Sequence, residues 1–195
     1  MTDPRLERWL DAVLATPGLT AIEDRDEAWA MLVEDGLRGV EIVRAFDGPI
    51  VDVGSGNGSP GLALAASLPD REVTLLDSNR RKAAFLERRA PDFPNVRVVW
   101  GRAEEHDGRY GVAVAKALAP PAVSLEWLLP LVDEGGAAVL WLGPSADLDA
   151  LSRVSEQIGG AAVETRNGLA VARKIAPTPA GFPRRPGLAR KRPLA

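Results

Sequence analysis

The chain has 195 residues, 46% of them hydrophobic and 26% charged, which suits a single globular domain with a core of its own. It has no cysteine, so disulfides, thiol nucleophiles and thiolate metal sites are excluded. No apolar stretch approaches the ~20 residues of a membrane helix, and the acidic, amphipathic start MTDPRLERWLDAV is unlike a signal peptide. A cytoplasmic protein without membrane attachment is the expectation.

In chain order, Leu6, Trp9, Leu10, Val13 and Leu14 recur at helical spacing within residues 4–15, and Pro17-Gly18 ends that helix. Residues 24–45 read as a second helical region, with breaks expected at Gly36 and Gly39. Strand and helix then alternate. The predicted strands are Ile50–Val53, Val73–Asp77, Val96–Trp100, Gly111–Ala115 and Ala137–Leu142; the predicted helices are Pro60–Leu68, Arg80–Ala90, Val123–Leu129 and Asp147–Ile158. Two last strands, Ala161–Arg166 and Leu169–Ile175, flank Asn167-Gly168, a type I′ hairpin signal. Repeated βα units predict a parallel sheet covered by helices on both faces, ending in an antiparallel hairpin. Three segments follow: a helical extension over 1–46, an α/β domain over 47–175, and a Pro-rich tail over 176–195.

The most informative stretch is IVDVGSGNGSPG, Ile50 to Gly61. A short apolar strand runs into a loop with glycine at every second position (Gly54, Gly56, Gly58), and Pro60 is expected in the first turn of the next helix. Such a corner lets a nucleotide-like ligand lie against bare backbone. Asp77 closes the next strand 19 residues after Gly58, about the distance needed to run one helix back and one strand forward. A carboxylate there can accept both hydroxyls of a ribose. The alternating glycines depart from G-x-G-x-x-G, whose last position falls on Ser59, and favour S-adenosylmethionine over a nicotinamide dinucleotide, which stays open as the alternative.

Net charge is −3, yet from Arg173 onward there are seven basic residues and no acid, so the rest of the chain carries −10. A basic tail on an acidic body fits a polyanion held at one edge.

Taken together, these segments resemble the RsmG (GidB) family, guanine-N7 methyltransferases of 16S rRNA. VDVGSGNGSPGLALA is similar to that family's DVGTGxGLPGIPLA, VTLLDSNRRKAAFLERRA to LLDSxxKRxxFL, GRAEE to RAEE and LTAI to NLTAI. The tail RKIAPTPAGFPRRPGLARKRPL resembles RKxxPTPxxYPRxxGxxxKxPL, which methyltransferases in general lack. The resemblance implies a class I methyltransferase fold, Rossmann-like, with a mostly parallel seven-stranded sheet. It also implies S-adenosyl-L-methionine as cofactor and 16S rRNA of the small ribosomal subunit as partner. On that basis Gly54 and Ser59 are expected on the methionine and ribose side, with Gly56 and Gly58 also among the cofactor-binding residues. Asp77 with Ser78 is expected at the ribose, Ala103 and Glu104 at the adenine, and Asp52 orienting the loop or the cofactor's amino group. No metal and no partner subunit are expected.

Four positions depart from the family pattern. Ala115-Lys116-Ala117 stands where the family has S-R-A, Gly111 where an acid is usual, Leu142 for a lysine and Leu32 for a histidine. Lysine keeps the charge of arginine but loses its planar fork. Lys116 is the candidate catalytic residue, expected at guanine O6 or a neighbouring phosphate. Because these departures fall on the RNA side, a non-catalytic or altered-substrate S-adenosylmethionine-binding homologue is the alternative. His106, between two acids, reads as a surface residue.

Overall fold

A computed structural model describes residues 3–143 and 146–195. The chain opens with α1 (Pro4–Leu14), where the Asp3 carboxylate caps the first turn by accepting the Arg5 N–H at 2.9 Å and Leu6, Trp9, Leu10 and Val13 face inward. Next comes α2 (Arg25–Ala28), capped by Asp24, which runs through a π-helical stretch, Trp29–Glu34, into α3 (Asp35–Leu37). The helical path breaks at Arg38-Gly39 and resumes as α4 (Val40–Arg44). Gly36, expected as a break, instead stays helical: a Cβ there would come within 3.1 Å of the Ala63 Cβ, so its role is close approach.

The alternating part follows as β1 (Ile50–Val53), α5 (Gly61–Ser67), β2 (Val73–Asp77), α6 (Arg80–Arg89), β3 (Val96–Trp100), β4 (Tyr110–Lys116), α7 (Pro121–Leu128), β5 (Val132–Trp141) and α8 (Leu148–Gln157). The hairpin β6 (Glu164–Arg166) and β7 (Leu169–Arg173) and a short α9 (Leu188–Lys191) complete the chain. The sheet order is β3-β2-β1-β4-β5-β7-β6, with β1 to β5 parallel and β7 antiparallel to both neighbours. Both central residues of the hairpin turn have positive φ, 49° at Asn167 and 72° at Gly168, as a type I′ turn requires. The order reverses at β1: β2 lies on one side and β4 on the other, so a crevice opens at the carboxyl ends of these strands.

Local chemistry moves several boundaries. Pro60 occupies the N-cap of α5 rather than its first turn. β4 and β5 are longer than expected, and their register shifts between Tyr110 and Val112. There the backbone is crowded: a Cβ on Gly111 would lie 1.6 Å from the Asp47 carbonyl oxygen, and one on Gly136 2.1 Å from the Gly111 carbonyl oxygen. No side chain fits at Gly111, which accounts for the missing acid. The hairpin strand β6 is short and exposed along its whole length.

One apolar cluster, on one face of the sheet, gathers α1, the π-helical stretch, α4, α5 and α6; the other gathers α7, α8 and Ala189 of α9. Among the described residues, no helix is long and apolar enough to cross a membrane.

Candidate active site

The loop after β1 hangs on β2. Gly54 N–H and Ser55 N–H both donate to the Leu76 carbonyl, at 2.7 and 3.2 Å, and Gly56 N–H donates to the Asp77 carboxylate at 2.8 Å. The other Asp77 oxygen accepts the Asn79 N–H at 2.7 Å. Gly54, Gly56 and Gly58 all have positive φ, 72°, 58° and 110°, so the alternating glycines serve the loop's path. From behind, α1 supports it: the Trp9 indole N–H donates to the Asn57 carbonyl at 2.7 Å.

In front of the loop lies a cavity of about 330 Å³, at the lower end of the range for small-molecule sites. Its walls are Val53 and Gly54 at the end of β1, Leu76 and Ser78 at the end of β2, and Gly101 to Glu104 after β3. Leu118 and Trp127 cover one side, and Gly187, Arg190 and Lys191 of the tail close another. Leu118 packs onto the bare backbone at Gly54, where a Cβ would lie 2.2 Å from its Cδ1. It follows Ala117, a residue at φ 51° in the left-handed region, a conformation that costs an alanine about 1–2 kcal/mol and tends to be kept at functional sites.

Of the residues expected from sequence, Gly54, Ser78, Ala103 and Glu104 line this cavity. Asp77 is buried at the join between loop and β2, with one accepting lone pair left on each oxygen beyond the two N–H groups it holds. Gly56 and Gly58 shape the loop without lining the cavity; a Cβ on Gly58 would lie 2.7 Å from Leu62 and 3.0 Å from Trp9. Ser59, expected beside the ligand, is instead buried under the N-terminal segment, where its hydroxyl donates to the Leu32 carbonyl at 2.8 Å. Leu32 belongs to the core, as an apolar residue at that position must.

Asp52 sits beneath the loop rather than in the cavity. One oxygen accepts the Gly61 N–H at 3.0 Å; the other is buried without a partner. Burial pushes its carboxyl up from 3.8 to about 7, against the pull of the Gly61 N–H. The folded state therefore holds a proton that the unfolded chain releases near pH 4. The stability this supplies is full below that pH, declines as pH rises and is lost above about pH 7. Asp52→Asn keeps an acceptor for Gly61 and removes the titration. Urea unfolding between about pH 4 and pH 7 should show the variant losing less stability with pH than the wild type, by a few kcal/mol; equal slopes would refute a proton on Asp52.

Lys116 ends β4 on the other side of the loop. Its ammonium contacts the Asp35 carboxylate at 2.7 Å, the Met31 carbonyl, and the Ser59 hydroxyl at 3.5 Å. Both acceptors from the helical extension lie in or directly after the π-helical stretch, an irregularity that recurs at functional sites. Asp35 also pairs with Arg38 at 2.6 Å, and its carbonyl accepts the Trp141 indole N–H at 2.8 Å. His106 lies outside the cavity, its Nε2 2.7 Å from the Tyr110 hydroxyl. Among the described residues, no group of three or more His, Asp or Glu is arranged to hold a metal.

A glycine loop bridged to an acid on the next strand, at the reversal point of a sheet, is an arrangement that suits nucleotide-like ligands in general; comparison with known proteins narrows it. The family profile GidB, described as rRNA small subunit methyltransferase G, matches residues 5–164. The chain belongs to this family. It is 36% identical to ribosomal RNA small subunit methyltransferase G of Moorella thermoacetica, over 90% of this chain and 82% of that protein. The Synechococcus elongatus protein of the same name is also 36% identical, with the same coverage of both chains. Solved structures share the fold. A magnesium protoporphyrin IX methyltransferase from Synechocystis PCC 6803, solved with bound SAM, aligns at a TM-score of 0.62 and 15% identity, over 86% of this chain and 90% of its own. An O-methyltransferase of neocarzinostatin biosynthesis, solved with S-adenosyl-L-homocysteine, aligns at 0.65 and 20%, over 89% and 62%. The GidB profile thus takes in the helical extension as well as β1 to β5. The contacts sequence reasoning missed, Leu118, Trp127 and Arg190, come from segments that carry no glycine or acid signature.

Proposed function

We propose that the protein transfers the methyl group of S-adenosylmethionine to N7 of a guanine in a loop of 16S rRNA. What supports this reading most is the cavity, walled by bare backbone at Gly54 and Gly101 and by Glu104 and set beside the Asp77-bridged loop, in a chain of the small-subunit rRNA methyltransferase family. The residues suit an adenosyl group. Glu104 offers a carboxylate and Ala103 a small apolar surface for the base. Asp77, buried between the lining residues Leu76 and Ser78 without lining the cavity itself, keeps one lone pair on each oxygen for ribose hydroxyls. When bound, S-adenosylmethionine supplies a methyl group made electrophilic by its sulfonium. Guanine N7 has a free lone pair and no proton, so the chain needs no general base. Its task is alignment of nitrogen, carbon and sulfur, which is worth several kcal/mol.

Lys116 stands at the loop's opposite end, where the target base would enter. Its three N–H donors already face three oxygens, and the contact to Ser59 is the longest. That donor is the one a guanine O6 or a phosphate oxygen would take over, while the pair with Asp35 keeps the ammonium aimed. Target guanines are reached in unpaired loops, since the deep groove of A-form RNA excludes side chains. In this reading the protein works as a cytoplasmic monomer without a metal, and the exposed cations of the tail hold RNA phosphates.

Calorimetric titration with S-adenosylmethionine should give one site per chain; absence of binding would refute the reading. Lys116→Ala should leave that affinity within about twofold yet slow methyl transfer to rRNA about 100-fold, the size of a lost alignment contact. Unchanged transfer would remove Lys116 from the mechanism.

A further inference from the structure

We propose that the C-terminal tail is a wall of the cofactor cleft, and that Trp127 and Arg190 bind the nucleoside end of the cofactor. The proposal rests on the S-adenosylmethionine reading above and adds binding residues to it.

The tail is fastened from its start. Lys174, 2% exposed, donates to the Ile158 carbonyl and the Thr178 hydroxyl, both at 2.7 Å. Arg184 then forms a two-pronged pair with Glu126 of α7, both N···O distances 2.5 Å, and Glu126 is 1% exposed. A carboxylate so deeply buried needs its partner, so the tail is tied to α7 there. Two residues beyond Arg185, the Gly187 N–H donates at 3.0 Å to Glu104, one of the cavity's own acids. Ala189 is buried against α7, and Arg190 reaches back to donate to the Leu118 carbonyl at 3.3 Å. The tail's hydrogen bonds thus reach the cleft at two of its lining residues, Glu104 and Leu118.

Arg190 lies over Trp127, guanidinium to ring centre 5.3 Å, and both line the cavity. The Trp127 indole N–H is buried with no hydrogen-bond partner, one of three such buried side-chain atoms among the described residues. An unpaired buried donor at a cavity wall is an expensive arrangement unless a ligand completes it. Adenine fits this end: a flat ring to lie against indole and guanidinium, with ring nitrogens that only accept. Glu104 would take the exocyclic amine, and a small movement of Arg190 would free the indole N–H to meet a ring nitrogen.

The test is calorimetric titration of the full-length protein with S-adenosylhomocysteine. Arg190→Ala, at an exposed position that folding tolerates, and Trp127→Phe should each weaken binding about tenfold. Arg153→Ala, an exposed cation on α8, should leave it unchanged. Arg190→Ala and Trp127→Phe both within twofold of the wild type would overturn the proposal while leaving the cofactor reading intact. A wild type that binds neither S-adenosylhomocysteine nor S-adenosylmethionine would overturn both.

Discussion

Asp77→Ala should lower the affinity for S-adenosylmethionine about 100-fold, a loss of roughly 2.7 kcal/mol. Two contributions add. The first is the ribose contact proposed above, in which a carboxylate would accept from hydroxyls, a bond stronger than one between neutral groups. The second lies in the loop: Gly56 N–H and Asn79 N–H each donate to one Asp77 oxygen, so the carboxylate pins the glycine turn to the end of β2. Alanine leaves both N–H groups without an acceptor and frees a segment built from three positive-φ glycines to move. Asp77→Asn separates the contributions, because its amide retains one acceptor for one of the two N–H groups. It should fall between wild type and alanine. The check is calorimetric affinity for each variant, and an alanine variant within threefold of wild type would show that Asp77 holds neither loop nor ligand.

The second large effect is on folding. Gly111→Ala places a methyl group 1.6 Å from the Asp47 carbonyl oxygen and 2.7 Å from its carbon, both of them backbone atoms that no rotamer can move aside. The strand end must shift, together with the Gly111 N–H bond to the Pro49 carbonyl at 2.9 Å. Overpacking commonly costs 1–3 kcal/mol, and a clash with rigid backbone belongs at the top of that range or above it. For a chain of this length, about 3 kcal/mol corresponds to a drop in Tm of about 10 °C. Gly135→Ala is the comparison: it has φ 90° but nothing within 4 Å, so only conformational strain is paid. Thermal melts of the two variants decide the point. Equal small shifts would contradict the crowding.

How much of this was legible in the residues follows from what each segment depends on. The sheet was readable because β1, β2 and β3 are short apolar runs separated by helices of matching length, and the hairpin because Asn167-Gly168 demands positive φ at both positions. The glycine loop and Asp77 were readable for a similar reason: local backbone geometry there selects the residue types. Ser59 was not, since its hydroxyl is consumed by the Leu32 carbonyl, 27 positions away. The π-helical stretch at Trp29–Glu34 has no composition signal distinct from a helix, and its value is tertiary: it turns the Met31 and Leu32 carbonyls toward Lys116 and Ser59. The family's arginine is a lysine here, and that lysine is paired with Asp35, a partner 81 positions earlier that no local pattern links to it. The tail read as a basic, Pro-rich segment for RNA, yet its inner face is fastened to α7 through Arg184 and Glu126. Charge counting sees the cations but not which of them is already neutralised.

The most direct measurement incubates the protein with methyl-labelled S-adenosylmethionine and small-subunit rRNA that lacks the modification, then digests the RNA to nucleosides for mass spectrometry. One labelled N7-methylguanosine per rRNA molecule is the predicted result. No incorporation, or label on another atom or base, would contradict the assignment of this cleft to guanine N7.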